Sequence, residues 1–349
     1  MSFHLLDAMA RGGFEEVVAL CDPSSGLRAY LVVHDSRRGP VFGGVRRFAY
    51  AHEQQALADA MRLARAMSRK CALADLPAGG GKIVLVDGDA TDLPAAYARL
   101  AEAVEQRAGR FFTGPDVGTG DRELGWMAEH TRYVTRPDEA GPGLLAESTG
   151  EGVFASMEAA LRQVDGEVDW PRRTVVLQGL GKVGAHVARR LVESGARVKA
   201  SELDFDRASA LADSLELELL EDSREYGEVC DIFAPCAMGG ILHDLTITRL
   251  RCRIIAGAAN NVLAGPEHGD RLHERGILFA PDFVTGAGAL MRGWHFHVEG
   301  RRVAPDQLGQ RVGASCERIL GLAHEQSEPP ERVAILEADR ILEGAVPVG

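Results

Sequence analysis

Two lysines and one aspartate are the side chains of this sequence whose types and surroundings best suit acid–base chemistry. Lys70 ends an apolar-faced segment, Lys82 ends the run PAGGGK (77–82), and Asp116 lies in the turn GPDVG. Two amines and a carboxylate could bind an anionic substrate and move a proton, and burial near a second cation lowers the pKa of a lysine towards neutrality. The alternative is that both lysines are ordinary surface residues, but their sequence neighbours are mostly apolar.

The glycines of PAGGGK could instead form a phosphate-binding loop. That motif requires a glycine at position 76 and a Ser or Thr directly after the lysine, whereas this chain has Leu76 and Ile83. Glycines beside a lysine also let the backbone approach closely and leave room for a substrate. We therefore expect the run to hold a reactive amine and not a phosphate.

A second glycine motif has the pattern of a dinucleotide-binding turn. The strand-like segment RTVVLQ leads directly into the motif, a helical segment follows, and the next strand-like segment ends at Glu202. The motif glycines would form the turn, admit a pyrophosphate and let helix and strand pack closely, with the phosphates at the helix N-terminus. Glu202, or Asp204, would bind the adenosine ribose and repel a 2′-phosphate, so NAD is predicted over NADP. The alternative is a set of glycines that only packs a helix onto a strand; the motif residues are Gly179, Gly181, Lys182, Val183 and Gly184.

The elements that would position these residues differ between the two halves of the chain, which meet near RPDEAGPGLLAE (136–147). The second half alternates strands and helices, which predicts a doubly wound parallel sheet. Ser148 and Glu151 have the spacing of a capping box for a helix at 149–163. The first half predicts an initial helix, a hairpin around PSSG (23–26), a helix at 53–71, a strand at 83–89 and a helix at 92–108; a last helix is predicted at 332–343.

Composition and charge exclude several functional classes. The 349 residues carry a net charge of −12 with no basic cluster, so a nucleic acid or an anionic membrane is not an expected partner. The sequence shows neither a secretory signal pattern nor an apolar stretch of about 18 residues, and its six cysteines form no CxxC pair. A cytoplasmic location with reduced thiols is therefore expected. His295 and His297 could be half of a metal site, but no third ligand is evident and no metal is predicted.

Seven stretches of the chain resemble, in the same order, the amino acid dehydrogenase family that contains glutamate, leucine, valine and phenylalanine dehydrogenases. The leucine and phenylalanine branch is the most similar, and the stretches cover nearly the whole chain. They are GPVFGGVRR (39–47), the segment 56–82, GPDVGT (114–119), QGLGKVG (178–184), CDIFAPCAMGG (230–240), AGAANNVLA (256–264) and APDFVTGAGAL (280–290).

The resemblance implies a reversible oxidative deamination of an L-amino acid, with NAD as cofactor and a 2-oxo acid and ammonia as products. By this resemblance Lys70 binds the substrate α-carboxylate, Lys82 activates water and stabilises charge, and Asp116 relays protons to and from the amino group. Asn261, and with it Asn260, would contact the substrate and the nicotinamide ribose. Thr149 lies where the family holds the nicotinamide amide.

The same resemblance implies a two-domain α/β fold with an active-site cleft between the domains. Residues 1–140, joined by the C-terminal helix 330–349, would form the substrate and oligomerisation domain. Residues 141–329 would form a Rossmann-type NAD-binding domain. Relatives assemble through the first domain, so a homo-oligomer is expected.

The substrate side chain is predicted to be apolar. Phe42, followed by Gly43, stands where the glutamate enzymes of the family carry a lysine, and Gly293 aligns approximately with a serine of those enzymes. A phenylalanine cannot pair with a distal carboxylate, and leaving that carboxylate unpaired in a closed pocket is costly. Leucine, valine, isoleucine, phenylalanine and tryptophan all remain open as substrates.

One segment departs from the family pattern. In MRGWHFHVEG (291–300), Arg292 replaces a usual asparagine, and Trp294, His295 and His297 are unexpected. Arg292 could bind a polar substrate group, or it could point to solvent or a subunit contact. Two alternatives therefore stay open: a dehydrogenase for an unusual amino acid of a biosynthetic route, and a non-catalytic NAD-binding regulator. The joint presence of Lys70, Lys82 and Asp116 argues against the regulator.

Overall fold

The structure, a computed structural model, describes residues 4–88, 91–221 and 223–345. The chain divides into two compact α/β units, as the sequence predicts. The first unit contains residues 1–143, 293–302 and 338–349, and the second contains residues 144–292 and 303–337. Within the described ranges, no helix is long and apolar enough to cross a membrane.

The first unit is built around a mixed sheet with the strand order β1-β2-β5-β3-β6, in which β4 also pairs with β5. Strands β1 and β2 form the predicted antiparallel hairpin, β2 pairs antiparallel with β5, and β3 and β4 run parallel to β5. The elements are α1 (Leu5–Gly12), β1 (Glu16–Asp22), β2 (Leu27–Asp35), β3 (Val41–Phe42), β4 (Val45–Phe48), α2 (Glu53–Leu73), β5 (Gly79–Val86), α3 (Leu93–Glu105), β6 (Phe111–Phe112) and α4 (Asp121–Ala128).

Helix α2 and strand β5 form the centre of this unit. The apolar stripe predicted along α2 is buried, and its residues Leu57, Met61 and Ala64 pack in one cluster with Val32 and Val84 of the sheet. All eight residues of β5 are buried, so this strand is covered on both faces. The core thus fixes α2, which carries Lys70, against β5, which carries Lys82.

The second unit contains the predicted parallel sheet, with the strand order β12-β11-β10-β7-β8-β9. The strand order reverses between β7 and β10, which is where such sheets bind ligands at their carboxyl ends. Two helices, α11 and α13, contribute residues to both units. The elements are α5 (Leu145–Asp165), β7 (Thr174–Gln178), α6 (Lys182–Glu193), β8 (Arg197–Ser201), α7 (Phe205–Leu215), β9 (Glu218–Leu219), β10 (Ile232–Pro235), α8 (Asp244–Ile247), β11 (Ile254–Ile255), α9 (Glu267–Glu274), β12 (Leu278–Phe279), α10 (Asp282–Thr285), α11 (Gly288–Glu299), α12 (Pro305–Gln326) and α13 (Pro330–Glu343), with 3-10 turns at Trp170–Arg172 and Glu225–Gly227.

Two predicted element boundaries are wrong. The helix expected at 149–163 begins at Leu145, so Ser148 lies inside it, and its Oγ donates to the Leu144 carbonyl at 2.8 Å instead of capping the helix. The strand expected at 83–89 begins at Gly79, because the glycine run pairs with β2 and β3. The strand ends at Val86. Asp89, the last residue of the predicted strand, lies outside the described residues.

Candidate active site

The glycine run before Lys82 is part of a strand and does not form a loop. A Cβ on Gly79 would lie 2.2 Å from the Asp35 carbonyl oxygen, and one on Gly80 would lie 2.0 Å from the Ser68 backbone nitrogen. A Cβ on Gly81 would lie 2.6 Å from the Phe111 ring. The run therefore lacks side chains because neighbouring backbone and rings approach it from several directions.

Lys82 lies in the middle of this buried strand and forms an ion pair with Asp116. Lys82 Nζ is 2.7 Å from Asp116 Oδ2, and the two side chains are only 6% and 12% exposed. Burial alone would raise the pKa of Asp116, but the adjacent Lys82 ammonium and Arg46 guanidinium lower it to about 2. Asp116 is therefore an ionised carboxylate at neutral pH, next to a buried amine, which is an arrangement suited to proton transfer.

Arg46 is a member of this site that sequence reasoning missed. Its Nε donates to Asp116 Oδ2 at 3.0 Å, and its Nη1 donates to Asp59 Oδ2 at 3.1 Å. The Tyr50 hydroxyl donates to the same Asp59 oxygen at 2.7 Å. The sequence signal for Arg46 is the pair of arginines that ends GPVFGGVRR (39–47).

Lys70 lies in the last turn of α2, and its helix contacts the strand of Lys82 directly. Ser68, two residues before Lys70, makes the close approach to Gly80, two residues before Lys82. Ser68 is itself held by His34, whose Nδ1 is 2.8 Å from Ser68 Oγ. The structure thus places the segments of Lys70 and Lys82 side by side in the first unit.

Phe42 belongs to an aromatic cluster in the same unit. Its ring stacks on Phe112 with centroids 4.9 Å apart, and the His297 ring lies 4.7 Å from Phe112 and 6.4 Å from Phe42. His297 Nε2 is 3.2 Å from Thr135 Oγ1. A Cβ on Gly293 would lie 3.0 Å from Thr135 Cγ2. The predicted residues Phe42 and Gly293 therefore belong to one group of contacting residues with Phe112, Thr135 and His297, which we call the aromatic wall.

Gly43 has a packing role in this region. A Cβ on Gly43 would lie 2.0 Å from the Gly81 carbonyl oxygen. Only glycine lets the backbone after β3 approach the strand of Lys82 this closely.

The four unusual residues of segment 291–300 have different surroundings. Arg292 is 4% exposed and donates to the Val303 carbonyl, so its guanidinium is neither in solvent nor left without an acceptor. His295 Nδ1 is 2.7 Å from Glu299 Oε2, one helical turn along α11, and Trp294 packs edge-on against His295. Of the two histidines, only His297 joins the aromatic cluster, and burial lowers its pKa to about 4. No group of three or more potential metal ligands occurs in the described part of the chain.

The glycine turn after β7 has the features that a dinucleotide requires. Gly179 has a φ of 95°, and a Cβ on Gly184 would lie 2.0 Å from the Gly179 carbonyl oxygen, so both positions need glycine. By contrast, apart from its neighbours along the chain, no described residue lies within 4 Å of a Cβ built on Gly181, which leaves open space over the backbone where a pyrophosphate would lie. Lys182 and Val183 begin α6, whose N-terminus faces that space.

Glu202 follows β8, at the carboxyl edge of the sheet. One carboxylate oxygen accepts from the Leu180 amide at 2.8 Å, and the other accepts from the Leu203 and Asp204 amides at 2.9 and 3.2 Å. Glu202 is thus tied to the glycine turn, while Asp204 contributes its backbone amide to Glu202. A carboxylate in this place can accept hydrogen bonds from the ribose hydroxyls of NAD, so the residues present fit the cofactor.

Asn260, Asn261 and Thr149 also lie in the second unit. Asn261 adopts a left-handed conformation with a φ of 53° and its carbonyl accepts from the Gly240 amide at 2.7 Å, which closes the loop after β11 against the loop after β10. Both loops leave the carboxyl edge of the parallel sheet, as the glycine turn does. Thr149 lies in α5, where its Oγ1 donates to the Leu145 carbonyl at 3.1 Å, and the next residue, Gly150, packs against α6.

A parallel sheet with this glycine turn, and a buried lysine–aspartate pair in a separate unit, define a two-domain dinucleotide-dependent enzyme. Comparison of sequences identifies the family. The profile of the Glu/Leu/Phe/Val dehydrogenase dimerisation domain matches residues 15–133, and the Glutamate/Leucine/Phenylalanine/Valine dehydrogenase profile matches residues 143–213 and 202–292. The chain belongs to the Glu/Leu/Phe/Val dehydrogenase family.

Individual relatives agree with this assignment. The chain is 36% identical over 321 residues to the leucine dehydrogenase of Thermoactinomyces intermedius, and the aligned region covers 91% of this chain and 85% of that protein. It is 37% identical over 298 residues to the phenylalanine dehydrogenase of Bacillus thermotolerans, and the aligned region covers 83% of this chain and 78% of that protein. The crystal structure of L-tryptophan dehydrogenase from Nostoc punctiforme matches with a TM-score of 0.84 at 30% identity and covers 97% of this chain and 99% of that chain. The chain is accordingly an NAD-dependent amino acid dehydrogenase, an oxidoreductase of the CH–NH₂ group.

Proposed function

We propose that this enzyme catalyses the reversible oxidative deamination of an apolar L-amino acid to its 2-oxo acid and ammonia. The observation that supports this most strongly is the buried ion pair between Lys82 and Asp116, with its 2.7 Å separation. A buried amine and an ionised carboxylate in contact are what proton transfer at an amino group and activation of water require. NAD⁺, when bound, accepts the hydride from Cα.

The residues of the first unit divide this work. Lys70 pairs with the substrate α-carboxylate and so fixes the Cα–H direction. Asp116 takes a proton from the substrate ammonium, which leaves a neutral amine able to support loss of hydride. Lys82 then holds the water that adds to the resulting iminium carbon, and as this C–O bond forms the π electron pair of the iminium returns to nitrogen. Asp116 returns a proton to that nitrogen, the C–N bond breaks to release ammonia, and the carbonyl forms as the two protons of the water pass to solvent. The burial of both groups strengthens each electrostatic interaction relative to water.

The residues of the second unit bind the cofactor. Gly179, Gly181, Lys182, Val183 and Gly184 hold the pyrophosphate at the start of α6. Glu202, with Asp204 beside it, binds the adenosine ribose and disfavours the 2′-phosphate of NADP. Asn260, Asn261 and Thr149 hold the nicotinamide end.

The side-chain pocket is proposed to be apolar, and the relatives with the names leucine, phenylalanine and tryptophan dehydrogenase support this. The wall of Phe42 and Phe112 offers no cation to a distal carboxylate, so glutamate would leave its second carboxylate unpaired. Gly43 and Gly293 contribute the close backbone packing that shapes this wall.

His297 favours one alternative, an amino acid of a specialised biosynthetic route. Its imidazole is a polar group within the aromatic wall, and a substrate with a polar side-chain atom could use it. Arg292 supports this alternative less well, since it already donates to Val303.

We also propose a homo-oligomer in the cytoplasm. The match of residues 15–133 to a dimerisation domain supports self-association. All six cysteines are free thiols, which is usual in a reducing compartment.

The function is tested by NAD⁺ reduction with a panel of L-amino acids, with NADP⁺ measured in parallel and L-glutamate as the charged control. Turnover of leucine, valine, phenylalanine or tryptophan on NAD⁺, with little on NADP⁺ or glutamate, is expected. Glutamate as the best substrate would contradict the apolar pocket. No turnover with any common amino acid, while NADH still binds, would contradict the proposed substrate class and favour the specialised enzyme or the regulator.

A further inference from the structure

We propose that Arg46 is a positioning residue for the reaction: together with Lys82 it clamps one oxygen of Asp116 and thereby leaves the other oxygen to face the substrate amino group. The clamp is defined by the distances around the Asp116 carboxylate. Its consequence for turnover rests on the proposed function of Lys82 and Asp116.

The two oxygens of Asp116 have different surroundings. Lys82 Nζ lies 2.7 Å from Oδ2, and Arg46 Nε lies 3.0 Å from the same oxygen. No group within residues 4–88, 91–221 and 223–345 donates a hydrogen bond to Oδ1. Because a carboxylate oxygen has acceptor capacity for each of its lone pairs, Oδ1 is the atom that can accept a proton from an incoming ammonium.

Arg46 is itself fixed at both ends. Its strand β4 pairs in parallel register with β5, so that Arg46 lies opposite Val84, two residues beyond Lys82. Its Nη1 donates to Asp59 Oδ2 at 3.1 Å, and Asp59 is held in turn by the Tyr50 hydroxyl at 2.7 Å and by Arg62 at 2.6 Å. A planar guanidinium can join two carboxylates in this way, whereas a lysine amine cannot preserve the same fork geometry.

The clamp also sets the charge state of the carboxylate. Burial raises the pKa of Asp116, and the two cations offset this and lower it to about 2. During turnover an N–H bond of the substrate ammonium breaks, an O–H bond forms at Oδ1, and the nitrogen keeps its electron pair. Loss of Arg46 removes one of the two cations and frees the carboxylate to rotate, so both the charge and the direction of Oδ1 change.

The test compares Arg46→Met, Arg46→Lys and the matched control Arg47→Met. Arg47 is the next residue of β4 and donates to the Gly118 carbonyl at 3.0 Å, so it contacts the loop of Asp116 but not its carboxylate. Steady-state kcat and KM are measured with the best amino acid, and the Asp116 carboxyl is titrated by ¹³C NMR, with its signal assigned from Asp116→Asn. Arg46→Met is expected to lower kcat about 100-fold, the scale of a misplacement of about 1 Å, and to raise the titration midpoint of Asp116.

Arg46→Lys is expected to lower kcat about tenfold, because one amine restores charge at Oδ2 without the link to Asp59. Arg47→Met should stay within about twofold of wild type in kcat, with the Asp116 titration midpoint unchanged.

A kcat of Arg46→Met within about threefold of wild type, or a loss of kcat with an unmoved Asp116 midpoint, would overturn the proposal. If Arg46→Met fails to fold, Arg46→Lys alone tests the proposal. A kcat and an Asp116 titration midpoint of Arg46→Lys that both equal those of wild type would then overturn the proposal. A wild-type enzyme inactive on every amino acid would refute the proposed function, while the titration would still report on the clamp.

Discussion

Replacement of Gly80 by alanine tests whether the glycine run is there for close packing. A Cβ at this position would lie 2.0 Å from the Ser68 nitrogen, 2.4 Å from its Oγ and 2.6 Å from its Cα. Real Cβ atoms essentially never approach closer than 3.0 Å. Helix α2 and strand β5 must therefore separate by about 1 Å locally, and the contact is backbone that cannot rotate away.

The shift would act on stability and on the site together. Overpacking of a tight core costs about 1–3 kcal/mol, so the free energy of unfolding should fall by that amount. Lys70 lies two residues after Ser68, and a displacement of about 1 Å between Lys70 and Lys82 should lower kcat/KM about 100-fold. The assays are urea unfolding and steady-state NAD⁺ reduction.

Gly125→Ala is the matched control, since no described residue outside its own helix α4 lies within 4 Å of a Cβ there. Alanine is favoured over glycine inside a helix by about 1 kcal/mol, so this variant should be as stable as wild type or slightly more stable, with unchanged kinetics. A Gly80→Ala enzyme with wild-type stability and kcat/KM would refute the close-packing explanation.

Two further predictions concern His297 and His34. His297→Leu exchanges a half-buried imidazole for an apolar group, so kcat/KM for apolar amino acids should change by no more than about 200-fold. A selective loss of about 10⁴-fold in kcat/KM for the best substrate would instead show that the imidazole hydrogen-bonds that substrate. Burial lowers the pKa of His34 and of His297 to about 4, so between about pH 6.5 and pH 4 the unfolded chain binds more protons than the folded enzyme. The free energy of unfolding should therefore fall as pH falls through this window, by up to about 3 kcal/mol per histidine, and His34→Gln should show a smaller fall; equal pH dependence in both proteins would contradict this assignment.

The local patterns of the sequence predict most of the architecture. The hairpin around residues 23–26, the apolar stripe of α2 and the βαβ rhythm of the second half are repeated hydrophobic signals, and each is present in the structure. The glycine motif after β7 is also placed correctly, because its context of strand, turn and helix is local.

Two of the three features that sequence reasoning missed depend on contacts between distant residues. Gly79 and Gly80 have the composition of a loop, but pairing with β2 and β3 recruits them into β5. Ser148 has the spacing of a helix cap, yet the helix begins three residues earlier, at Leu145. Arg46 and Asp116 are separated by 70 positions, so no spacing rule connects them before the sheet of the first unit is known.

The most direct test of the account is the turnover of Lys82→Ala beside Asp116→Asn. Each variant is first checked for folding by its unfolding midpoint and for NADH affinity by fluorescence titration, and NAD⁺ reduction is then measured with the best amino acid. Because Lys82 and Asp116 act in the first unit, NADH binding by the glycine turn of the second unit should be unchanged, while kcat falls by about 10²–10⁴-fold in each variant, the usual contribution of a general acid or base. Near-normal turnover in a folded Lys82→Ala enzyme would contradict the claim that this buried pair performs the chemistry.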